Sequence, residues 1–173
     1  MNMEFLSGFL IGFVIVIGIL MLVVYAIHGK NDEPCKFDER QLLVRGTAFK
    51  MGFFSLIFYN FIYGMLVVAC DVDFIDHTTA LFVGIFISTC IFACYCIWND
   101  AYVALNRSPK RFMLLFAVLG IINLVAGIAG IIEGKVFHDG MLDYRSINLF
   151  VGAIFVILFI TYLLKKVIKD KED

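Results

Sequence analysis

Five apolar runs, each about as long as a bilayer's hydrocarbon core is thick, constrain this chain more than any motif in it. A helix crossing about 30 Å at about 1.5 Å per residue needs roughly 20 residues. Runs of that kind lie at 5–26, 51–70, 78–98, 112–132 and 147–164, and none of them contains Asp, Glu, Lys, Arg or His. With 62% hydrophobic and 17% charged residues over 173 positions, the chain is too apolar for a water-soluble domain, in which apolar residues are about half. The reading is an all-α integral membrane bundle of five transmembrane helices, a single domain over 1–173. The first run lacks a basic leader and a small-residue cleavage site, so it is read as an anchor.

Lys and Arg are distributed unevenly between the connecting segments. Lys30, Lys36, Arg40, Arg45 and Lys50 follow the first run. Arg107, Lys110 and Arg111 follow the third, and Lys165, Lys166, Lys169 and Lys171 follow the fifth. Those twelve lie on one side, whereas only Lys135 and Arg145 lie on the other. By the positive-inside rule the amino terminus is outside and the carboxyl terminus cytoplasmic, which requires an odd number of spans. The bias excludes small dual-orientation exporters, which need balanced charge and an intramembrane carboxylate. No basic patch with interleaved aromatics suggests nucleic acid, and the expected surroundings are the lipid bilayer and another membrane protein or a second copy.

Inside the spans the polar groups are mild. Asn60 lies mid-way through the second run and Asn123 mid-way through the fourth, with hydroxyls from Ser88, Thr89 and Thr161. An Asn in a span characteristically bonds across to a neighbouring helix, worth about 1 kcal/mol; the alternative is a substrate path. Gly8 and Gly12, and the small residues Gly120, Ala126, Gly127 and Gly130, allow close helix approach. Cys90, Cys94 and Cys96 have no His or carboxylate near them in sequence and are read as small hydrophobes. No cofactor is implied. Asp71, Asp73, Asp76 and His77, with His138 and Asp139 on another loop of the same side, form a weak candidate set for a divalent cation. A solvated acidic face is the preferred reading. No metalloprotease, nucleophile-elbow or phosphate-loop signature occurs, so the chain is read as non-enzymatic.

The most polar stretch is 36–50, KFDERQLLVRGTAFK, within a cytoplasmic segment spanning 29–50. Asp38 followed three residues later by Gln41 has the form of a capping box. A short amphipathic helix is expected to start there, before the second span, either bending at Gly46 or running on into that span. Leu42, Leu43 and Phe49 offer apolar surface, while Arg40, Arg45 and Lys50 reach anionic headgroups. FDERQ followed by RGTAFKMGFF resembles a motif of small multispanning membrane proteins of Gram-positive bacteria whose activity is undefined. The resemblance covers about residues 35 to 60. It implies a bacterial cytoplasmic membrane protein and directs attention to Asp38, Glu39, Arg40, Gln41, Arg45 and Gly46 as partner-docking or lipid-facing residues. The expected role is accessory, regulatory or assembly; the alternative is a small transporter or channel.

Overall fold

The computed structural model describes Gly18, Met21 and residues 35–70 and 74–172. Met1–Pro34 and Cys35–Asp173 form separate compact units, and the second is described here by itself. The first expected span, with Gly8, Gly12 and Lys30, lies outside the described residues, Gly18 and Met21 apart.

Four long helices make up the second unit: α1 Glu39–Cys70, α2 His77–Trp98, α3 Pro109–Ile132 and α4 Ile147–Glu172. They coincide with the second to fifth apolar runs, and among the described residues these four are long and apolar enough to cross a membrane. Many of their large apolar side chains are exposed, among them Phe54, Phe58, Phe61, Ile121 and Val125. In water that surface would be costly. In lipid it is the ordinary outer face of a bundle whose backbone groups are satisfied within each helix.

α1 packs on α2, α2 on α4, and α4 on α3. The α3–α4 contact is set by reciprocal glycines. A Cβ added at Gly127 would lie 2.5 Å from Leu149 Cδ2, and one at Gly152 would lie 2.8 Å from Leu124 Cδ2. Gly120 similarly receives Phe155. Of the small residues expected to allow close approach, Gly120 and Gly127 do so here within the chain, whereas Gly130 meets Val136 and Ala126 is exposed. Between α1 and α2, Gly52 meets Ser88, whose hydroxyl donates to the Gly52 carbonyl at 2.8 Å. Gly84 takes the Tyr59 ring, and the Tyr59 hydroxyl donates to the Ala80 carbonyl at 2.8 Å. A cluster of Ala93, Ile97, Met113, Phe116 and Leu158 joins α2, α3 and α4.

One expectation is corrected. The segment before the second span is not a short helix set off by a bend at Gly46. Of the two forms left open by the sequence, the helix that runs on into the span is the one formed: α1 extends without interruption from Glu39 to Cys70, 32 residues or about 48 Å. No proline interrupts it, and a single interior glycine costs only about 1 kcal/mol, so Gly46 is carried through without ending the helix. A helix of that length overshoots the hydrocarbon core, and its polar first turns are the part that projects.

At the far end of the bundle, β1 Phe137–His138 and β2 Met141–Leu142 form an antiparallel hairpin. Asp139 and Gly140 make its two-residue turn, with φ of 50° and 81°, the all-positive combination that matches strand twist. Ile75 bridges to Leu142 in parallel, through Leu142 N–H to Phe74 O and Asp76 N–H to Leu142 O, both 2.9 Å.

Candidate functional site

The polar stretch that opens α1 does fold as a capping box. The Gln41 N–H donates to Asp38 Oδ1 at 2.5 Å, and the Asp38 N–H donates to Gln41 Oε1 at 3.3 Å. These bonds give two backbone donors at the helix start a partner. The amide nitrogen of the same Gln41 side chain then reaches away from α1. It donates to the carbonyls of Asp100 at 2.6 Å and Val103 at 3.3 Å, and Gln41 is only 3% exposed.

Those carbonyls are available because of how α2 ends. Asn99 caps the helix and Asp100 follows in the left-handed region at φ 53°. The Ala101 N–H returns to Cys96 O at 2.8 Å and the Asp100 N–H to Ile97 O at 3.3 Å, the pair of bonds that defines a Schellman stop. The chain then turns through 101–103, whose carbonyls are within reach of α1 side chains. Arg45, one turn after Gln41, donates from Nη1 to Ala101 O at 3.2 Å and reaches Tyr102 O at 3.5 Å. Its guanidinium lies 4.5 Å from the centroid of the Phe37 ring and 5.7 Å from that of Phe92, within cation–π range. Burial pushes the Tyr102 phenol above its ordinary value, and Arg45 opposes that shift.

Two further ties close the junction. Leu105 N–H donates to Lys36 O at 2.9 Å, and Lys36 N–H donates to Asn106 Oδ1 at 3.1 Å. From α4, Lys165 Nζ meets Asp100 Oδ1 at 2.5 Å and donates to Ile97 O at 3.1 Å. One loop, 99–107, therefore receives side chains from α1 and α4, and a buried carbonyl left without a donor would cost about 1–3 kcal/mol. The arrangement is a mechanical junction: its donors are engaged with backbone oxygens and with the side-chain oxygens of Asp100 and Asn106.

The junction divides the stretch singled out from sequence. Gln41 and Arg45 face inward, while Glu39, Arg40 and Gly46 are exposed and Gly46 has open space about its Cα. Asp38 is exposed but engaged in the cap. The outward residues Glu39, Leu42, Leu43, Gly46, Thr47 and Lys50 line a shallow groove.

Among the described residues the two intramembrane asparagines bond within their own helices rather than making the expected cross-helix bonds. Asn60 Nδ2 donates to Leu56 O and Asn123 Nδ2 to Leu119 O, each at 2.8 Å and each within its own helix. A short amide side chain reaches the carbonyl one turn back more readily than it spans a helix–helix gap. Ser88 and Tyr59 make the bonds across instead. Thr89 and Thr161 also bond back to their own helices. Cys94 Sγ lies 3.9 Å from Cys90 Sγ and 3.5 Å from the Thr161 hydroxyl, and Cys96 is buried.

Nor do the acidic-loop candidates that lie among the described residues converge. Asp76 caps α2, accepting from the Thr79 N–H at 3.0 Å and its hydroxyl at 3.2 Å. His77 Nδ1 pairs with the Tyr63 hydroxyl at 2.7 Å. His138 and Asp139 sit at the exposed hairpin tip, 3.5 Å apart, and Asp71 and Asp73 lie outside the described residues. Among the described residues no group of three or more His, Cys, Asp or Glu is placed to hold a metal ion.

Sequence reasoning missed the receiving loop and Lys165. The local signals were Asn99-Asp100 directly after an apolar run, a helix stop, and Asp139-Gly140, a hairpin turn; neither signal says which side chains the loop receives.

Taken together, these apolar helices, tied at their basic end by a polar junction, define a multi-pass membrane protein. The chain matches no protein-family model, no curated protein and no solved structure.

Proposed function

We propose that this chain is a non-enzymatic accessory, regulatory or assembly protein of a bacterial cytoplasmic membrane, and that the outward face of the first three turns of α1 is the surface it offers to a partner. Five spans, amino terminus outside and carboxyl terminus in the cytoplasm, complete the reading; the fifth comes from the apolar run at 5–26 and the orientation from the Lys/Arg bias. The resemblance of residues 35 to 60 to small Gram-positive membrane proteins belongs to the same proposal.

One observation carries it. Gln41 and Arg45 bind the inner face of this segment to the 99–107 loop, so the outer face of Glu39, Arg40, Leu42, Leu43 and Gly46 is held in place before any partner arrives. Preorganisation of that kind lowers the entropy cost of association. The transporter alternative draws less support, because Asn60 and Asn123 are engaged with their own helices and the spans hold no ionisable carboxylate, Lys, Arg or His to couple ion flow.

The test is mild-detergent co-purification from native membranes at matched abundance. A Glu39→Lys/Arg40→Glu double variant is expected to keep its unfolding temperature and lose partner yield. Unchanged yield removes the docking role. Solute uptake by liposomes holding this chain alone, abolished by Asn60→Ala or Asn123→Ala, would put the transporter reading in its place.

A further inference from the structure

Beside the junction, where α2 ends and α3 begins, a cavity of about 230 Å³ opens against α4. That is several times the roughly 30 Å³ share of one water: room for a phosphate and a glycerol unit, with the mouth left open. Its walls are mostly apolar, formed by Ile97, Val103, Met113 and Tyr162, with the Asp100 carboxylate also in the lining, and its rim carries Lys165, Lys166 and Lys169. Lys165 is already engaged by Asp100 and the Ile97 carbonyl. Lys166 and Lys169 are exposed, and among the described residues neither has an ion-pair or hydrogen-bond partner. With Asp100 taken up by Lys165, two unmatched positive charges thus stand over a mostly apolar recess.

The height of this recess along α4 identifies its occupant. The apolar run of α4 ends at Leu164 and the lysines begin at Lys165, so the cavity lies where hydrocarbon gives way to headgroups. A free inorganic anion would gain from the lysines and nothing from the walls. An anionic phospholipid uses both, with its phosphate at Lys166 and Lys169 and its glycerol and first methylenes against Met113 and Tyr162. Basic pockets between helices at a membrane surface are suited to such headgroups. We infer that this cavity is a binding site for one anionic phospholipid of the adjoining leaflet, held between α2, α3 and α4. The inference goes beyond the accessory reading and does not depend on it; it requires only that the basic end sit at a bilayer surface.

Native mass spectrometry of the full chain in a mild nonionic detergent tests it, using phosphatidylglycerol and phosphatidylcholine of identical acyl chains. One phosphatidylglycerol is expected to stay bound at concentrations that leave no phosphatidylcholine adduct. A Lys166→Gln/Lys169→Gln variant, altered only at exposed positions, should weaken that adduct about 30-fold, since each near-surface lysine contributes roughly a factor of five. Lys135→Gln, at the other end of the bundle, should leave it unchanged. Equal retention of the two lipids, or full retention by the double variant, overturns the site. Displacement of the lipid by millimolar inorganic phosphate assigns the lysines to a free anion and overturns the lipid assignment. Because no partner enters the measurement, its failure is distinct from failure of the docking proposal.

Discussion

The two ends of this bundle are closed in different ways. At the basic end, side chains do most of it: Gln41, Arg45 and Lys165 donate to four carbonyls of the α2 C-terminus and the 99–107 loop at 3.3 Å or less, beside one main-chain bond from Leu105 to Lys36. At the hairpin end the main chain closes it, through the β1–β2 pair and the bonds linking Leu142 to Phe74 and Asp76. A side-chain closure depends on particular residue types and fails when one is replaced. A main-chain closure tolerates most substitutions, because every residue except proline brings the same donor and acceptor. The difference teaches where this protein is sensitive to sequence: at the end that carries its most polar segment.

Gln41→Leu is the strongest way to break that comparison. It removes the donor from the Asp100 and Val103 carbonyls and half of the capping box, and is expected to cost about 2–4 kcal/mol. Thermal unfolding in detergent, with hydrogen exchange across 99–107, reads it. Wild-type behaviour would mean that the loop holds itself. Arg45→Ala should cost about 1–2 kcal/mol, and Arg45→Lys should recover less than half of that, because an ammonium lacks the planar fork and the stacking surface over Phe37. Recovery in full would reduce Arg45 to a charge. For this reason Arg45 does not separate docking from stability, whereas Glu39 and Arg40 do.

The hairpin end supplies the smaller effects. Gly140→Ala forces a side chain into φ 81° and is expected to cost about 1 kcal/mol. His138→Ala, at an exposed strand position, should stay within about 0.5 kcal/mol; a larger loss would show that side chains matter at this end too. The smallest effect concerns Glu133, whose carboxyl is held below the ordinary carboxylate range by the Lys135 ammonium 2.7 Å away. A depressed folded value means that any contribution is present above the unfolded carboxylate value and lost as pH falls through the lowered one. The pair is exposed and screened, so wild type and Lys135→Ala should unfold at indistinguishable temperatures at neutral pH and show no divergence on acidification.

How much of this was legible beforehand varies with the range of each interaction. The capping box could be read from Asp38 and Gln41 because it spans three residues, and the glycine-lined α3 face because Gly120 and Gly127 recur at helical spacing. The partners of Gln41 were not legible, since Asp100 lies 59 positions away and nothing in either stretch names the other. The expected cross-helix role of the asparagines failed for a related reason: Asn60 and Asn123 had an equally good acceptor one turn back in their own helices. Whether the helix starting after Asp38 bends at Gly46 or runs on into the second span was open from the sequence, because polarity alone does not end a helix.

The sequence by itself determined that this is a helical membrane protein, the places of the four described apolar helices, and the residue at which α1 starts, because burial in lipid and local capping depend on composition and spacing along the chain. Only the tertiary structure decided that 36–50 is half junction and half open face, and that Lys165, Asp100 and the α2 stop share one site. Those depend on which side chain meets which carbonyl when separate helices pack, and that is a property of three-dimensional distance alone.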